Sequence, residues 1–323
     1  MNPHPPTDRK GRYFNPHVGN IRRRPRDFFL WLIGCFRDPP YEMVPEGFSY
    51  PFPDNEFDPK RPWAMWLGHS TYLISASGRH ILTDPIWGKR CSPMPFFGPK
   101  RKHPVPLPID QLPKIDYILI SHDHYDHLDR YSVERLHERF PEILWIVPKG
   151  VKKWFKKMGI TRVVELHWWE EIDIDSIFKV TAVPAQHFSG RRTPDLNKTL
   201  WVGYVMEDLL DSKTFYFVGD TGYNTHDFKI IGEVFPKIDL SLIPIGSYSP
   251  RKFMSPVHVE PKDAVKIHQD VNSKLSLGMH WKTFRLSEEP MEQPPFDLYR
   301  SMKSEELDIW SFLAPDPGHK INW

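Results

Sequence analysis

Cysteine is almost absent from the chain: Cys35 and Cys91 are the two among 323 residues. That excludes a disulfide scaffold and a four-cysteine zinc site. Any metal must therefore be held by imidazole and carboxylate, and sixteen His supply the material. Long apolar runs are missing as well. The nearest candidate, FFLWLIGCF from Phe28 to Phe36, falls short of the roughly 18 to 20 residues that span a bilayer. Charge of one sign is not in excess either, since 43 Lys and Arg face 41 Asp and Glu and the net charge is +2. No global field attracts nucleic acid, and no nucleic-acid partner is expected. Dinucleotide and P-loop fingerprints are lacking, and GDTG at 219 to 222 has too few glycines to cradle a phosphate.

What is present is a globular composition, 40% hydrophobic, with length enough for one large core or two modest ones. The first sixty residues are rich in Pro, Arg and aromatics without clear periodicity. Residues 1–62 read as an extended arm wrapped over a domain of residues 63–323. Within the arm, Arg22, Arg23, Arg24 and Arg26 precede the apolar stretch, and Leu32-Ile33-Gly34-Cys35 resembles a lipoprotein cleavage box. The basic region is long for a signal sequence and the apolar region short. A basic amphipathic segment on a membrane surface, or one capping the core, fits better. The expected location is cytoplasmic, with peripheral membrane association through this arm.

Folded structure is expected from Trp63, with AMWLGHSTYLIS and RHILTDPIW as two strands joined at Ala76-Ser77-Gly78. After a Pro-rich loop, IDYILIS (Ile115 to Ser121) suits a buried strand. Strands then alternate with helical spacing: helices at 132–140, 151–158, 227–235 and 261–271, strands at 143–148, 178–183, 200–206, 214–218, 240–245 and 275–279. Two sheets covered by helices would bury these strands.

At the end of the buried strand the chain reads Ser121-His122-Asp123-His124-Tyr125-Asp126-His127-Leu128-Asp129, the pattern HxHxDH. Extended backbone places alternate side chains on one face, so His122 and His124 can converge on one ion. As the chain turns, Asp126 and His127 can be offered to a second. Three more residues end predicted strands: His187 in VTAVPAQH, Asp220 in TFYFVGD and His280 in LSLGMH. Taken singly, each is more readily a structural residue. Asp84 in ILTDP is either an acceptor that orients a metal-bound imidazole or a plain turn residue. His69 in LGHST reads more readily as a core or turn histidine.

HxHxDH, followed by a His, an Asp in GDTG and a further His, resembles the metallo-beta-lactamase superfamily. The resemblance implies an α/β fold, a four-layer αββα sandwich with the site at one edge of the sheets. It also implies that His122, His124 and His187 hold one ion, that Asp126, His127 and His280 hold the other, and that Asp220 bridges them. WLGHST (66 to 71), TDPI (83 to 86), GPKR (98 to 101), SHDHYDHLD (121 to 129), WWEE (168 to 171), LIPIGSYSPRKFM (242 to 254), HVEP (258 to 261) and HWKTF (280 to 284) resemble more specifically the N-acyl-phosphatidylethanolamine-hydrolysing phospholipase D family. That likeness runs from about Trp66 to Pro290.

The family resemblance implies a phosphodiesterase that yields phosphatidic acid and an N-acylethanolamine, with two zinc ions, or other divalent metals, and a hydroxide between them as nucleophile. Paired ions about 3.5 to 4 Å apart suit phosphodiester cleavage. Asp126 and Asp220 would belong to this machinery, and His258 is the candidate proton donor to the leaving alkoxide. A phospholipid substrate and membrane contact are expected partners, and a homodimer is compatible with the sequence. Two alternatives stay open: the same metal site acting on a small soluble lactone or phosphate ester, and a non-catalytic metal-binding scaffold.

Overall fold

Apolar residues alternate along the strands so that successive side chains enter different cores. In β1 (Trp63–Gly68), Ala64 and Trp66 join one apolar cluster while Trp63, Met65 and Leu67 join another. β4 (Tyr117–Leu119) and β5 (Leu144–Pro148) divide likewise, with Tyr117, Leu119 and Ile146 on one side and Ile118, Trp145 and Val147 on the other. Such a pattern needs cover on both faces of a sheet. A computed structural model, which describes residues 6–18, 38–53, 56–94 and 96–323, shows what supplies it.

One sheet contains β1, β2 (Thr71–Ala76), β3 (Arg79–Thr83), β4, β5, β6 (Val163–Leu166) and β14 (Lys320–Asn322), in the order β14-β1-β2-β3-β4-β5-β6. The other contains β7 (Glu171–Ile174), β8 (Phe178–Val183), β9 (Gly203–Asp208), β10 (Lys213–Phe217), β11 (Ile238–Pro244), β12 (Ser273–Met279) and β13 (Phe312–Leu313), in the order β13-β12-β11-β10-β9-β8-β7. Among the described residues the α-helices are α1 (Arg130–Arg139), α2 (Lys152–Lys156), α3 (Asp227–Val234), α4 (Arg251–Met254), α5 (Pro261–Asp270) and α6 (Gln293–Ser304). Trp66, Tyr72 and Leu119 of the first sheet share a core with Phe178, Tyr204, Phe217 and Leu242 of the second, so this core lies between the sheets. Val133 and Leu136 of α1 cover the outer face of the first sheet, and α5 packs on β11 and β12. The molecule is thus the αββα sandwich that the sequence led us to expect.

Strand direction positions the site. β3 and β4 run parallel, as do β10, β11 and β12. β8 and β10 are both antiparallel to β9, so the C-terminal ends of β8, β10 and β12 reach the same rim. One expected element divides: AMWLGHSTYLIS is two strands, because Gly68 (φ 115°) and His69 (φ 53°) reverse the chain between β1 and β2. Left-handed backbone at a non-glycine residue is uncommon, and here the reversal carries His69 to the rim.

The described part of the arm lies on this sandwich. Tyr13 donates its backbone N–H to the Asn197 carbonyl (2.8 Å), and the Ser249 hydroxyl donates to Asp38 (2.8 Å). The stretch from Arg22 to Phe36, with Cys35, falls outside the described residues. Among the described residues no helix is long and apolar enough to cross a membrane.

Candidate metal centre

His122 follows β4, His187 follows β8, Asp220 follows β10 and His280 follows β12, while Asp126 and His127 sit in the turn before α1. Asp129 caps that helix, accepting from the Ser132 N–H (3.2 Å), which stops the turn from fraying. The two ends of the HxHxDH run are therefore anchored, one by a sheet and one by a capped helix.

Two clusters result. His122 Nε2 lies 2.8 Å from His124 Nδ1, and His187 Nε2 lies 3.3 Å from the same atom. Asp126, His127 and His280 form the second cluster, with His280 Nε2 at 3.6 Å and His127 Nε2 at 3.4 Å from Asp126 Oδ2. Asp220 stands between them. Its Oδ2 is 3.0 Å from His280 Nε2, 3.2 Å from His127 Nε2 and 3.8 Å from His187 Nε2. All seven residues named from the motif order are brought into one group, in which His124 and Asp126 are half-buried and the other five buried.

The imidazoles are aimed by what holds their far nitrogens. His127 Nδ1 donates to Asp84 (2.6 Å), His187 Nδ1 donates to the Val257 carbonyl (2.9 Å), and His122 Nδ1 pairs with the Ser121 hydroxyl (2.8 Å). Each leaves Nε2 facing inward, the arrangement that presents a lone pair to a metal. Asp84 is thus an orienting acceptor as well as a turn residue, and it also binds the Ser121 N–H (2.7 Å). Asp84→Asn is expected to weaken divalent-metal affinity about 10- to 100-fold with the fold retained. Competition with a chromophoric chelator measures this, and unchanged affinity would reduce Asp84 to its turn.

His69, whose sequence context suits a core or turn histidine, lies at the site. It is fully buried, and its Nε2 lies 2.9 Å from Asp126 Oδ2 at the second cluster. Only a recognised β-turn at Gly68-His69 could have signalled this. Asn15 carried no sequence signal at all. It is 3% exposed, donates to the His187 carbonyl (2.7 Å) and accepts from the His187 N–H (3.1 Å), so the arm holds the backbone of a cluster residue. His258 sits above the junction, with Nδ1 3.9 Å from Asp220 Oδ2 and its ring 5.1 Å from that of His187.

The electrostatics differ between the clusters. Burial, reinforced by His127, His124 and His187, holds His122 well below the usual imidazole range. Burial likewise lowers His187, despite the pull of Asp220. Neutral imidazoles are what metal binding requires. In the second cluster burial again opposes charge, but Asp220 and Asp126 outweigh it, so that His127 rises well above its ordinary value and His280 is pushed up to about 9. Burial would raise Asp126 and Asp220, yet His127 above all holds both well below the carboxylate range. Two buried carboxylates therefore demand positive charge where His127 and His280 meet.

Among the described residues, His127 Nε2, His280 Nε2 and Asp220 Oδ1 are buried without a hydrogen-bond partner. The close approaches to Asp220 Oδ2 are misaligned for one. Leaving such atoms unsatisfied costs about 1 to 3 kcal/mol each, and a divalent cation among them removes that cost. An all-imidazole and carboxylate donor set suits zinc, iron or manganese. The residues fit a metal.

Comparison with known proteins agrees. Residues 79–281 match the family model described as the beta-lactamase superfamily domain. The chain is 39% identical over 266 residues to N-acyl-phosphatidylethanolamine-hydrolyzing phospholipase D 1 of Caenorhabditis elegans, covering 79% of this chain and 74% of that one. It is 38% identical over 245 residues to the mitochondrial N-acyl-phosphatidylethanolamine-hydrolyzing phospholipase D of Saccharomyces cerevisiae, covering 75% of this chain and 52% of that one. The solved structure of an isothiocyanate hydrolase from Delia radicum gut bacteria shares the fold, with a TM-score of 0.63 at 16% identity, covering 81% of this chain and 99% of that one. The chain belongs to the metallo-beta-lactamase superfamily of metal-dependent hydrolases, in the family of N-acyl-phosphatidylethanolamine-hydrolysing phospholipase D.

Proposed function

We propose that the protein is a zinc-dependent phosphodiesterase that hydrolyses N-acyl-phosphatidylethanolamine, or a related glycerophospholipid, to phosphatidic acid and an N-acylethanolamine. The supporting observation is the place of Asp220, whose Oδ2 is within 3.8 Å of His187 in one cluster and 3.0 Å of His280 in the other. His122, His124 and His187 would hold one zinc ion, Asp126, His127 and His280 a second, with Asp220 shared. When bound, a pair of divalent ions supplies Lewis acidity for a phosphoryl oxygen and an acidified water.

The chain's own residues do the rest. Water adds to phosphorus, the P–O bond to the N-acylethanolamine breaks, and the departing alkoxide needs a proton. His258, poised over Asp220, is the residue we assign to deliver it. His69, bonded to Asp126, keeps that carboxylate turned toward His127 and His280. A cavity of about 340 Å³ opens beside the HxHxDH turn, bounded by its own Asp123 and Leu128 and by Trp154, with Lys153 and Arg191 at its wall. None of the seven clustered residues lines it, Asp195 also stands at its wall, and the Arg191 guanidinium is held by the Asp123 and Leu128 carbonyls (3.0 and 2.7 Å).

Incubation with defined N-acyl-phosphatidylethanolamine tests the reading, with Asp126→Asn as the control. Phosphatidic acid and N-acylethanolamine are expected from the parent, and background release from the variant. Diacylglycerol among the products would mean that the other phosphoester bond is cut. No turnover of any lipid by the metal-loaded protein would refute a lipid substrate.

A further inference from the structure

His258 belongs to no strand or helix, and yet its ring is held over Asp220. The segment from Ser255 to Glu260 that carries it joins α4, a helix of four residues, to α5. So short a helix and the turn after it have little stiffness of their own. What places His258 must come from side chains outside the segment.

On one side the hold comes from the metal centre. The Val257 carbonyl accepts from His187 Nδ1 (2.9 Å), and the Pro256 carbonyl accepts from the Gln186 amide (3.1 Å). These bonds fix the two residues before His258. On the other side stands Arg251. Its Nη1 donates to the His258 carbonyl (2.9 Å), its Nη2 donates to Asp263 (2.8 Å), and its Nε lies 3.3 Å from Glu260. Acceptors at positions 258, 260 and 263 thus share one guanidinium, whose rigid planar fork fixes them relative to one another. Arg251 is itself tied down. Its backbone N–H donates to Asp38 of the arm (2.9 Å), which also takes the Ser249 hydroxyl (2.8 Å).

A plain ion pair would explain less. The Arg251 side chain is 25% exposed, and pairs with that much solvent contribute little to stability. Asp263 already has a second cation, since Lys266 Nζ donates to it (2.8 Å). The bond to the His258 carbonyl neutralises no charge, and its effect is to fix a place. We propose that Arg251 is the positioning residue for His258: its guanidinium clamps the main chain at His258, so that the ring stays over Asp220 and within reach of the departing alkoxide. Arg251 acts only through His258. The consequence for proton delivery rests on the phosphodiesterase reading, whereas the clamp on His258 does not.

The full-length, metal-loaded parent is compared with Arg251→Gln, Arg251→Lys and His258→Ala on two substrates. N-acyl-phosphatidylethanolamine releases an alkoxide that must be protonated, and phosphatidyl-p-nitrophenol releases a phenolate that leaves without a proton. Arg251→Gln is expected to lower kcat on the first by about 10²-fold at unchanged KM, and to stay within about threefold of the parent on the second. His258→Ala should show the same split. Arg251→Lys should not rescue, because a single ammonium cannot meet the three acceptors in the geometry of the fork. Lys266 keeps Asp263 paired, so the variants should fold and bind as much divalent metal as the parent. A crystal structure of metal-loaded Arg251→Gln should find the His258 ring displaced from Asp220.

Unchanged turnover, equal losses on both esters, or a fall in bound metal overturns the proposal. So does full activity in Arg251→Lys, which would make charge alone the requirement. Loss on the alkyl ester in Arg251→Gln without one in His258→Ala would mean that Arg251 acts by another route, which also overturns it. A parent that cleaves neither ester removes the phosphodiesterase reading, and the displaced or unmoved His258 of the crystal structure then decides the clamp by itself.

Discussion

Asp220→Asn is expected to lower turnover of the proposed phosphodiester substrate by about 10³-fold, the scale on which losing one preorganised charged group acts. The effect exceeds that of an ordinary ligand change because Asp220 touches both clusters. Its Oδ2 approaches His127, His280 and His187 at 3.2, 3.0 and 3.8 Å, and its Oδ1 has no other partner among the described residues. An amide is isosteric but removes the charge that draws a cation to the junction, so bound metal should fall along with turnover. Elemental analysis beside a kinetic assay measures both. Retention of more than about a tenth of the parent rate would show that the shared carboxylate is not needed.

The second large effect is metal removal. A strong chelator is expected to reduce turnover to background, and added zinc to restore it. Stability should respond as well, in a way that depends on pH. Without a cation, His280 is raised from 6.5 to about 9 by Asp220 and Asp126 acting against burial. A group whose folded pKa is raised contributes stability that is fully present below the unfolded value and is lost as pH climbs through the folded one. The chelated protein should therefore weaken between about pH 6.5 and 9, by on the order of 3 kcal/mol from this residue, with His127 adding in the same direction. The metal-loaded protein holds these imidazoles deprotonated and should lack that slope. Thermal melts of both forms across this range decide it, and parallel curves would mean that protons and metal do not compete here.

Much of the site was legible because its spacing follows from backbone periodicity. His122 and His124 lie two residues apart at a strand end, and period two puts them on one side without knowledge of the fold. The alternating two-sided burial of β1, β4 and β5 was written in near-continuous apolar runs, so the presence of buried strands could be read from short windows. Element ends were less legible. The strand expected from Leu200 begins at Gly203, and the helix expected at 151–158 is confined to Lys152–Lys156. β6, β7, β13 and β14 carry too few residues to show a period at all.

His69, Asp84 and Asn15 mark the boundary of what local pattern can reveal. The side chain of His69 reaches Asp126, 57 residues away, only because the chain turns back at Gly68. Asp84 reaches His127 because β3 and β4 run parallel and end at the same level. Asn15 binds His187 across 172 residues, a contact with no periodic trace in either segment.

The sequence by itself determined the donor chemistry, the existence of two groups of donors and the family. With cysteine nearly absent, imidazole and carboxylate were the remaining ligands, and their order along strand ends was specific. The family resemblance already implied that Asp220 is shared by the two groups, and only the tertiary structure decided that His69 and Asp84 reach Asp126 and His127. These are statements about which strand ends share a rim and which side chains find neighbours. They follow from sheet order and packing across long sequence separations, and residue spacing does not encode them.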